Sequence, residues 1–304
     1  FKLATVAALA RTLAMHGAVG SLILAVVAWM VRCRRTAAMA VALALIGVAP
    51  QLYALRPRTA PQVAPPSLRV MTCNLFRPNR QVAEMAEEVL AADADIVCFQ
   101  EYAQHWHAGL RDRLGERYPY WEYTQRRYDM GLAGYSKQPL RGDIEAGDFG
   151  DDPPAPPTRV EIDLGDRRVA LYNLHMFQPW PARYMQFRRA QFRGVLDRLR
   201  RERLPVIIAG DFNGTTTGWV HAELTRRGLS DAHQLAGWGI GSTWPNLTWL
   251  RHLPGITIDH IYVGPELTCT ASTVGSGPGS DHRPVVATVA FKSPASPTGE
   301  NAGP

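Results

Sequence analysis

Residues 204–213 read LPVIIAGDFN. An apolar, β-branched run of this length is the signature of a buried strand, and the glycine that follows it ends the run in a polar turn, Gly210-Asp211-Phe212-Asn213. The same grammar, a buried strand closed by a polar residue, recurs on both sides. Leu68 to Asn74 is a strand closed by Asn74, and Asp95 to Gln100 is a strand followed by Glu101. Arg168 to Leu174 is followed by His175, Asp259-His260 lies inside Thr257 to Val263, and Ser280-Asp281-His282-Arg283-Pro284 precedes a final strand, Val285 to Phe291. Polar residues at strand ends are where an open sheet presents side chains to a crevice.

Between these strands the 3.6-residue period places a helix over Gln81 to Ala92, with Val82, Met85, Ala86 and Leu90 on one face. A longer basic helix covers Ala182 to Arg201, and a further short strand is read at Leu267 to Thr273. The opening is βαβ-like, but strands and helices do not alternate strictly, so layered α/β or α+β packing is expected rather than a doubly wound sheet. There is no internal repeat. Asp151 to Pro157 reads as a Pro-rich loop and residues 293–304 as a disordered tail.

The chain has 304 residues, 46% hydrophobic and 20% charged, which suits one large catalytic domain, 68–292, and leaves no room for two. The net charge of +6 and pI near 9.3 fit a nucleic-acid binder, a neighbour of anionic lipid or an enzyme of phosphate esters, and do not choose among them. Cys33, Cys73, Cys98 and Cys269 have no paired spacing, so neither a zinc site nor a disulfide framework is indicated; Cys73 and Cys98 sit in apolar runs and read as core.

Ahead of that domain, Leu13 to Val31 is apolar except for His16, and Thr36 to Leu55 carries no charge. Each is long enough for a membrane span, so residues 1–55 are expected to form a transmembrane helical hairpin. Its turn, Arg32-Cys33-Arg34-Arg35, belongs in the cytoplasm by the positive-inside rule, which puts the Pro-rich linker, 56–67, and the catalytic domain outside it. A cleaved signal peptide is the plainer alternative, but it has one short apolar region and no basic turn between two. The chain starts at Phe1 rather than Met, and Leu3 to Ala10 is readable as the end of an earlier helix.

Singly, each polar strand end is more often a cap or turn residue, and a lone histidine is usually structural. In order, however, Asn74, Gln100-Glu101, Asn173-x-His175, Gly210-Asp211-Phe212-Asn213, Asp259 and Ser280-Asp281-His282 resemble the endonuclease/exonuclease/phosphatase superfamily. The resemblance spans Leu68 to Lys292. It implies a four-layer α/β/β/α sandwich of two mixed sheets, with the site at one edge, and Mg²⁺ as cofactor with Mn²⁺ as the alternative. Carried over residue by residue, it implies Glu101 as metal ligand with Asn74 beside it and Asp281 assisting. His282 would be the general base oriented by Asp259. Asp211 would position the nucleophile or protonate the leaving group, and Asn213 and His175 would hold the phosphoryl oxygens. One position departs from many nuclease members: Phe76 stands where an acidic residue follows the first-strand Asn, which argues against a two-metal site.

The substrate is less constrained. Arginines 188, 189, 193, 198, 200, 201 and 203 spread around the basic helix as on a solvated face, so no stable nucleic-acid partner is expected. Met176-Phe177-Gln178-Pro179-Trp180 is apolar and follows His175 directly; it reads either as packing or as a wall for a lipid tail, with Phe177 and Trp180 contacting substrate. The layout, together with Thr243-Trp244-Pro245 and Ile258-Asp259-His260-Ile261, resembles bacterial membrane-tethered members, specifically actinobacterial glycopeptide-resistance proteins of the VanJ type. That implies a membrane-anchored phosphohydrolase acting on an undecaprenyl-type isoprenoid pyrophosphate at the outer face, its partners a lipid-linked phosphate and membrane lipid. An extracytoplasmic nuclease or phosphodiesterase, acting on DNA, sphingomyelin or phosphoinositide, and a catalytically dead binding domain are the alternatives. The dead domain is disfavoured because Glu101, Asp211, Asn213, Asp259 and His282 are all present.

Overall fold

The computed structural model describes residues 14–54, 61, 63, 65–124, 131–142, 157–181, 183–247, 252 and 255–293. Leu3 to Ala10, Leu13, most of the linker, residues 151–156 and the tail from 294 lie outside them. Two helices come first, α1 (Ala14–Met30) and α2 (Arg34–Ala54). Arg32, at φ +63°, turns the chain between them, and they pack on each other through Ala18, Ala25, Ala28, Ala40 and Ala44, whose small side chains let the backbones approach.

The hairpin is present, but the expected spans are not. Among the described residues no helix is long and apolar enough to cross a membrane. In α2 the uncharged apolar run is bounded by Arg35 at one end and Pro50-Gln51 at the other.

The rest is built of β1 (Ser67–Asn74), α3 (Val82–Ala92), β2 (Ile96–Tyr102), α4 (Gln104–Leu114), β3 (Tyr120–Thr124), β4 (Gly131–Ser136), β5 (Thr158–Leu164) and β6 (Arg167–His175). There follow α5 (Tyr184–Arg201), β7 (Val206–Asp211), α6 (Trp219–Arg226), β8 (Ser230–Asp231), α7 (Ala232–Ala236), β9 (Asp259–Val263), β10 (Leu267–Val274) and β11 (Val285–Phe291). One sheet has the order β10-β11-β1-β2-β4-β3 and the other β5-β6-β7-β9-β8. Both are mixed: β1–β2 and β6–β7 are parallel and the remaining pairs antiparallel.

Alternation along the strands makes the layers. In β1, Leu68 and Val70 face inward to meet Leu171, Ile207 and Ile261 of the second sheet, while Met71 and Cys73 face outward onto Met85, Val89 and Trp106 of α3 and α4. In the second sheet Tyr172, Ile208 and Tyr262 face outward onto Phe192 and Val195 of α5 and Leu224 of α6. The result is the α/β/β/α sandwich. Cys73, Cys98 and Cys269 are buried free thiols within it, as their apolar settings require.

Candidate active site

Backbone register assembles the first half of the site. β6 runs parallel to β7 so that His175 pairs with Asp211, and β7 runs antiparallel to β9 so that Asp211 pairs with Asp259; three polar residues from distant parts of the chain therefore share one rung. A glycine is required one residue earlier, because a Cβ on Gly210 would run into the carbonyl oxygen of Leu174 on β6. In the facing sheet, Asn74 pairs with Gln100. A β-bulge between Gln100 and Tyr102 then leaves Glu101 at φ +53°, which re-aims its carboxylate toward the end of β1.

The two halves meet through hydrogen bonds. Asn74 Nδ2 donates to Glu101 Oε1 at 3.3 Å and to Asp211 Oδ2 at 3.0 Å, joining the sheets. The Arg77 amide donates to Glu101 Oε2 at 2.8 Å. The loop before β11 is pinned by Ser280, whose hydroxyl donates to the Asn74 carbonyl at 2.7 Å and accepts from the His282 amide at 3.0 Å. This brings His282 Nδ1 to 2.8 Å from Asp259 Oδ2, with its Nε2 at 3.8 Å from Asp211 Oδ2 and 3.9 Å from Asp281 Oδ1. His175 Nε2 lies 3.4 Å from Asp211 Oδ2.

Asn74, Glu101, His175, Asp211, Asp259, Asp281 and His282 thus converge. Asn213 is present as well, but its amide nitrogen donates to Asp211 Oδ2 at 3.1 Å and to Met176 O at 2.9 Å, so both hydrogens are committed within the protein. In this geometry Asn213 holds Asp211. Of the apolar segment, Met176 is core, Phe177 packs on Tyr184 and Phe187 with ring centroids at 5.6 and 5.8 Å, and Trp180 is 77% exposed.

Charge follows from this crowding. Burial would raise Asp211, but His282, His175 and the Asn213 amide outweigh it and hold the carboxyl at about 2. Burial would likewise lower His282, yet Asp259 and Asp211 raise it to about 10. Burial pushes Asp259 and Asp281 up, helped by the neighbouring carboxylates. Asp259 Oδ1 and Asp281 Oδ1 are buried without a hydrogen-bond partner. Asp211, Asp259 and His282 offer ligand atoms within 4.8 Å of one another, and Glu101 adds a third carboxylate close by. Oxygen-rich, net negative and incompletely satisfied, this donor set fits a hard divalent cation.

Four supporting residues have roles that the sequence does not show, and Arg188, expected on a solvated helix face, is buried. Gln100 Nε2 donates to Asn173 Oδ1 at 2.7 Å, and Asn173 Nδ2 donates to the carbonyls of Phe99 and Ala133, each at 3.1 Å: a buried amide pin between the sheets. Gln191 Nε2 donates to His175 O at 2.7 Å and its Oε1 accepts from the Phe177 amide at 3.0 Å, while Arg188 Nη1 donates to Phe177 O at 2.6 Å; together they fix the loop that carries His175. Gln191 and Arg188 sit three residues apart on the inner face of α5, a spacing visible in the sequence whose purpose is not.

Residues 71–282 match the sequence profile of the Endonuclease/Exonuclease/phosphatase family. The chain belongs to that family. Solved structures share the fold. An endonuclease/exonuclease/phosphatase from Beutenbergia cavernae matches with a TM-score of 0.61 at 19% identity, over 74% of this chain and 72% of that one. Truncated TDP2 from Caenorhabditis elegans gives 0.59 at 21% identity, over 74% and 98%. The mannosyl-6-phosphatase Bt3783 of Bacteroides thetaiotaomicron gives 0.59 at 20% identity, over 74% and 100%. No curated protein matches the chain. Members of this family are phosphoester hydrolases that in general depend on a divalent metal, and the chain carries the family's catalytic domain.

Proposed function

We propose that the chain is a divalent-cation-dependent phosphohydrolase whose substrate is a lipid-linked phosphate, an isoprenoid pyrophosphate of the undecaprenyl class. The observation that carries the hydrolase reading is the His282–Asp259 dyad, closed at 2.8 Å and set beside the carboxylates Glu101 and Asp211 across the two sheets. Asp259 orients His282 so that Nε2 faces the cluster, where it takes the proton of an attacking water. His175 and Asp211 lie on the same rung to orient that water or return a proton to the leaving oxygen. Glu101, Asn74 and Asp281, with Asp211 close by, would hold Mg²⁺, or Mn²⁺ in its place, which when bound neutralises phosphoryl charge and draws His282 down toward the range of a base. A phosphate ester resists attack because it is anionic, and cancelling that charge is the main task of such a site.

Two features support the lipid reading. The loop after His175 presents Phe177 and an exposed Trp180 beside the site. The N-terminal hairpin turns Ile23, Trp29, Leu45 and Ile46 outward, a surface suited to lipid, with Arg32, Arg34 and Arg35 at its tip. We read it as seating the domain on the extracytoplasmic face, with its basic tip toward the cytoplasm.

The test is phosphate release from the purified full chain in detergent, comparing isoprenoid pyrophosphates, phosphoinositides, sphingomyelin and DNA with Mg²⁺ or with chelator. Mg²⁺-dependent release from the isoprenoid pyrophosphate, faster than from the others, is expected. Faster cleavage of DNA would make the protein a nuclease.

A further inference from the structure

His260 follows Asp259 on β9 but takes no part in the dyad. Its ring is 1% exposed and wedged between two acceptors, with Nδ1 at 2.7 Å from Asp231 Oδ2 and Nε2 at 3.0 Å from the Gly214 carbonyl. A carboxylate and a carbonyl only accept, so the ring donates from both nitrogens. Asp231 is itself anchored, because its other oxygen accepts from the Gln234 amide at 2.8 Å and caps α7. The edge of the Phe212 ring closes one side of the imidazole, with centroids 5.6 Å apart. The fixed end of this relay is Asp231, and the group it holds is Gly214.

Gly214 ends the turn that carries Asp211. Within that turn Asn213 is at φ +46°, a left-handed conformation that is disfavoured for a side-chain-bearing residue. Only in that conformation does the Asn213 amide donate to Asp211 Oδ1 at 2.7 Å while its side chain reaches Asp211 Oδ2. Arg188 also lies against the turn, since a Cβ on Gly214 would come within 2.6 Å of its Nη2.

We propose that His260 is a positioning residue of the phosphohydrolase site: held by Asp231, it tethers the Gly214 carbonyl and thereby keeps Asn213 and Asp211 in their working geometry. This rests on the function proposed above.

Two substitutions separate the two ends of the ring. An amide at the tip of Gln stands close to where Nε2 stood, and the shorter Asn places its amide near Nδ1. His260→Gln therefore keeps the bond to Gly214, and His260→Asn keeps the bond to Asp231 and loses Gly214. On the fastest substrate of the panel with Mg²⁺, His260→Asn should lower kcat about thirtyfold with KM within about twofold, the pattern of a misplaced catalytic group, and His260→Gln should stay within about threefold. In peptide-resolved hydrogen exchange of the full chain, the segment containing Asn213 should exchange about tenfold faster in His260→Asn only, with β2 unchanged in both variants. Should His260→Asn fail to fold, His260→Leu, which is close in size and donates to neither partner, must produce the same acceleration. Wild-type exchange at Asn213 in the Asn variant, or equal losses in the Gln and Asn variants, would overturn the proposal. If the wild type hydrolyses nothing in the panel, the functional reading falls while the exchange measurement still decides the tether.

Discussion

At the scale of single residues, the site is a problem of surplus negative charge. Glu101, Asp211, Asp259 and Asp281 crowd together beside His175 and His282, and two of their oxygens lie buried without a hydrogen-bond partner. On the proposed mechanism, turnover depends on the cation and on the imidazole of His282. Glu101→Gln then removes the proposed anionic ligand with almost no change of shape, and His282→Ala removes the proposed base. Each should cut kcat by about 10² to 10⁴. Glu101→Gln should keep the wild-type melting temperature, whereas His282→Ala should melt lower because Asp259 loses its partner. Near-normal turnover of either folded variant would remove the proposed mechanism.

At the scale of elements, two junctions carry measurable consequences. Glu202, just past α5, accepts from Arg159 Nε and from the Tyr172 hydroxyl, both at 2.7 Å, and from the Leu204 amide at 3.1 Å, so it staples β5, β6 and the start of β7 to the end of the helix. Burial would raise its pKa, but these donors outweigh burial and hold it at about 2. A depressed carboxylate contributes stability that is complete above its ordinary value near 4.5 and is lost as pH falls toward 2. Glu202→Gln should be less stable than wild type by on the order of 2 kcal/mol at pH 7, and urea midpoints of the two should converge between pH 4.5 and 2.5; a gap that does not change with pH would dismiss the staple. The second junction is the loop between β6 and α5. If Phe177 and Trp180 bury part of a lipid chain at about 25 cal/mol per Å², their joint loss should lower kcat/KM for a long-chain isoprenoid pyrophosphate about tenfold while sparing a short soluble phosphate ester. Equal losses on both substrates would reduce the loop to packing.

At the scale of the whole molecule, the domain is a closed four-layer sandwich, and the hairpin before it is a pair of helices whose alanines face each other and whose larger apolar side chains face out. Such a surface needs a covering. With Arg32 to Arg35 toward the cytoplasm, a reporter fused after Pro304 should be active only outside, and neutralising those arginines should scramble its orientation. Reporter activity in the cytoplasm from the unmodified chain would overturn the membrane seat and, with it, the support for a lipid substrate.

The sequence by itself determined the strands that end in site residues, because a buried β-branched run and the polar turn that stops it are local properties: β1, β2, β6, β7 and β11 fall where their apolar runs put them. It also carried the ordered set of polar blocks on which family membership rests. The strict alternation of Thr158–Leu164 and the spacing of Trp106, Leu110 and Leu114 in α4 are local signals of the same kind. Others were not legible, as with β4, whose Gly131-Leu-Ala-Gly-Tyr-Ser is buried on both faces and shows no period. In the hairpin the apolar runs mark the two helices, and Arg32, at φ +63°, makes the turn between them. What only the tertiary structure decided is who touches whom. The bulge that aims Glu101, the rung shared by His175, Asp211 and Asp259, the amides of Asn213 spent on Asp211, and the clasp of His260 on Gly214 all join residues far apart in the chain. A residue's type limits the bonds it is able to make, but the partner it makes them with is set by sheet register and layer packing, which no local pattern encodes.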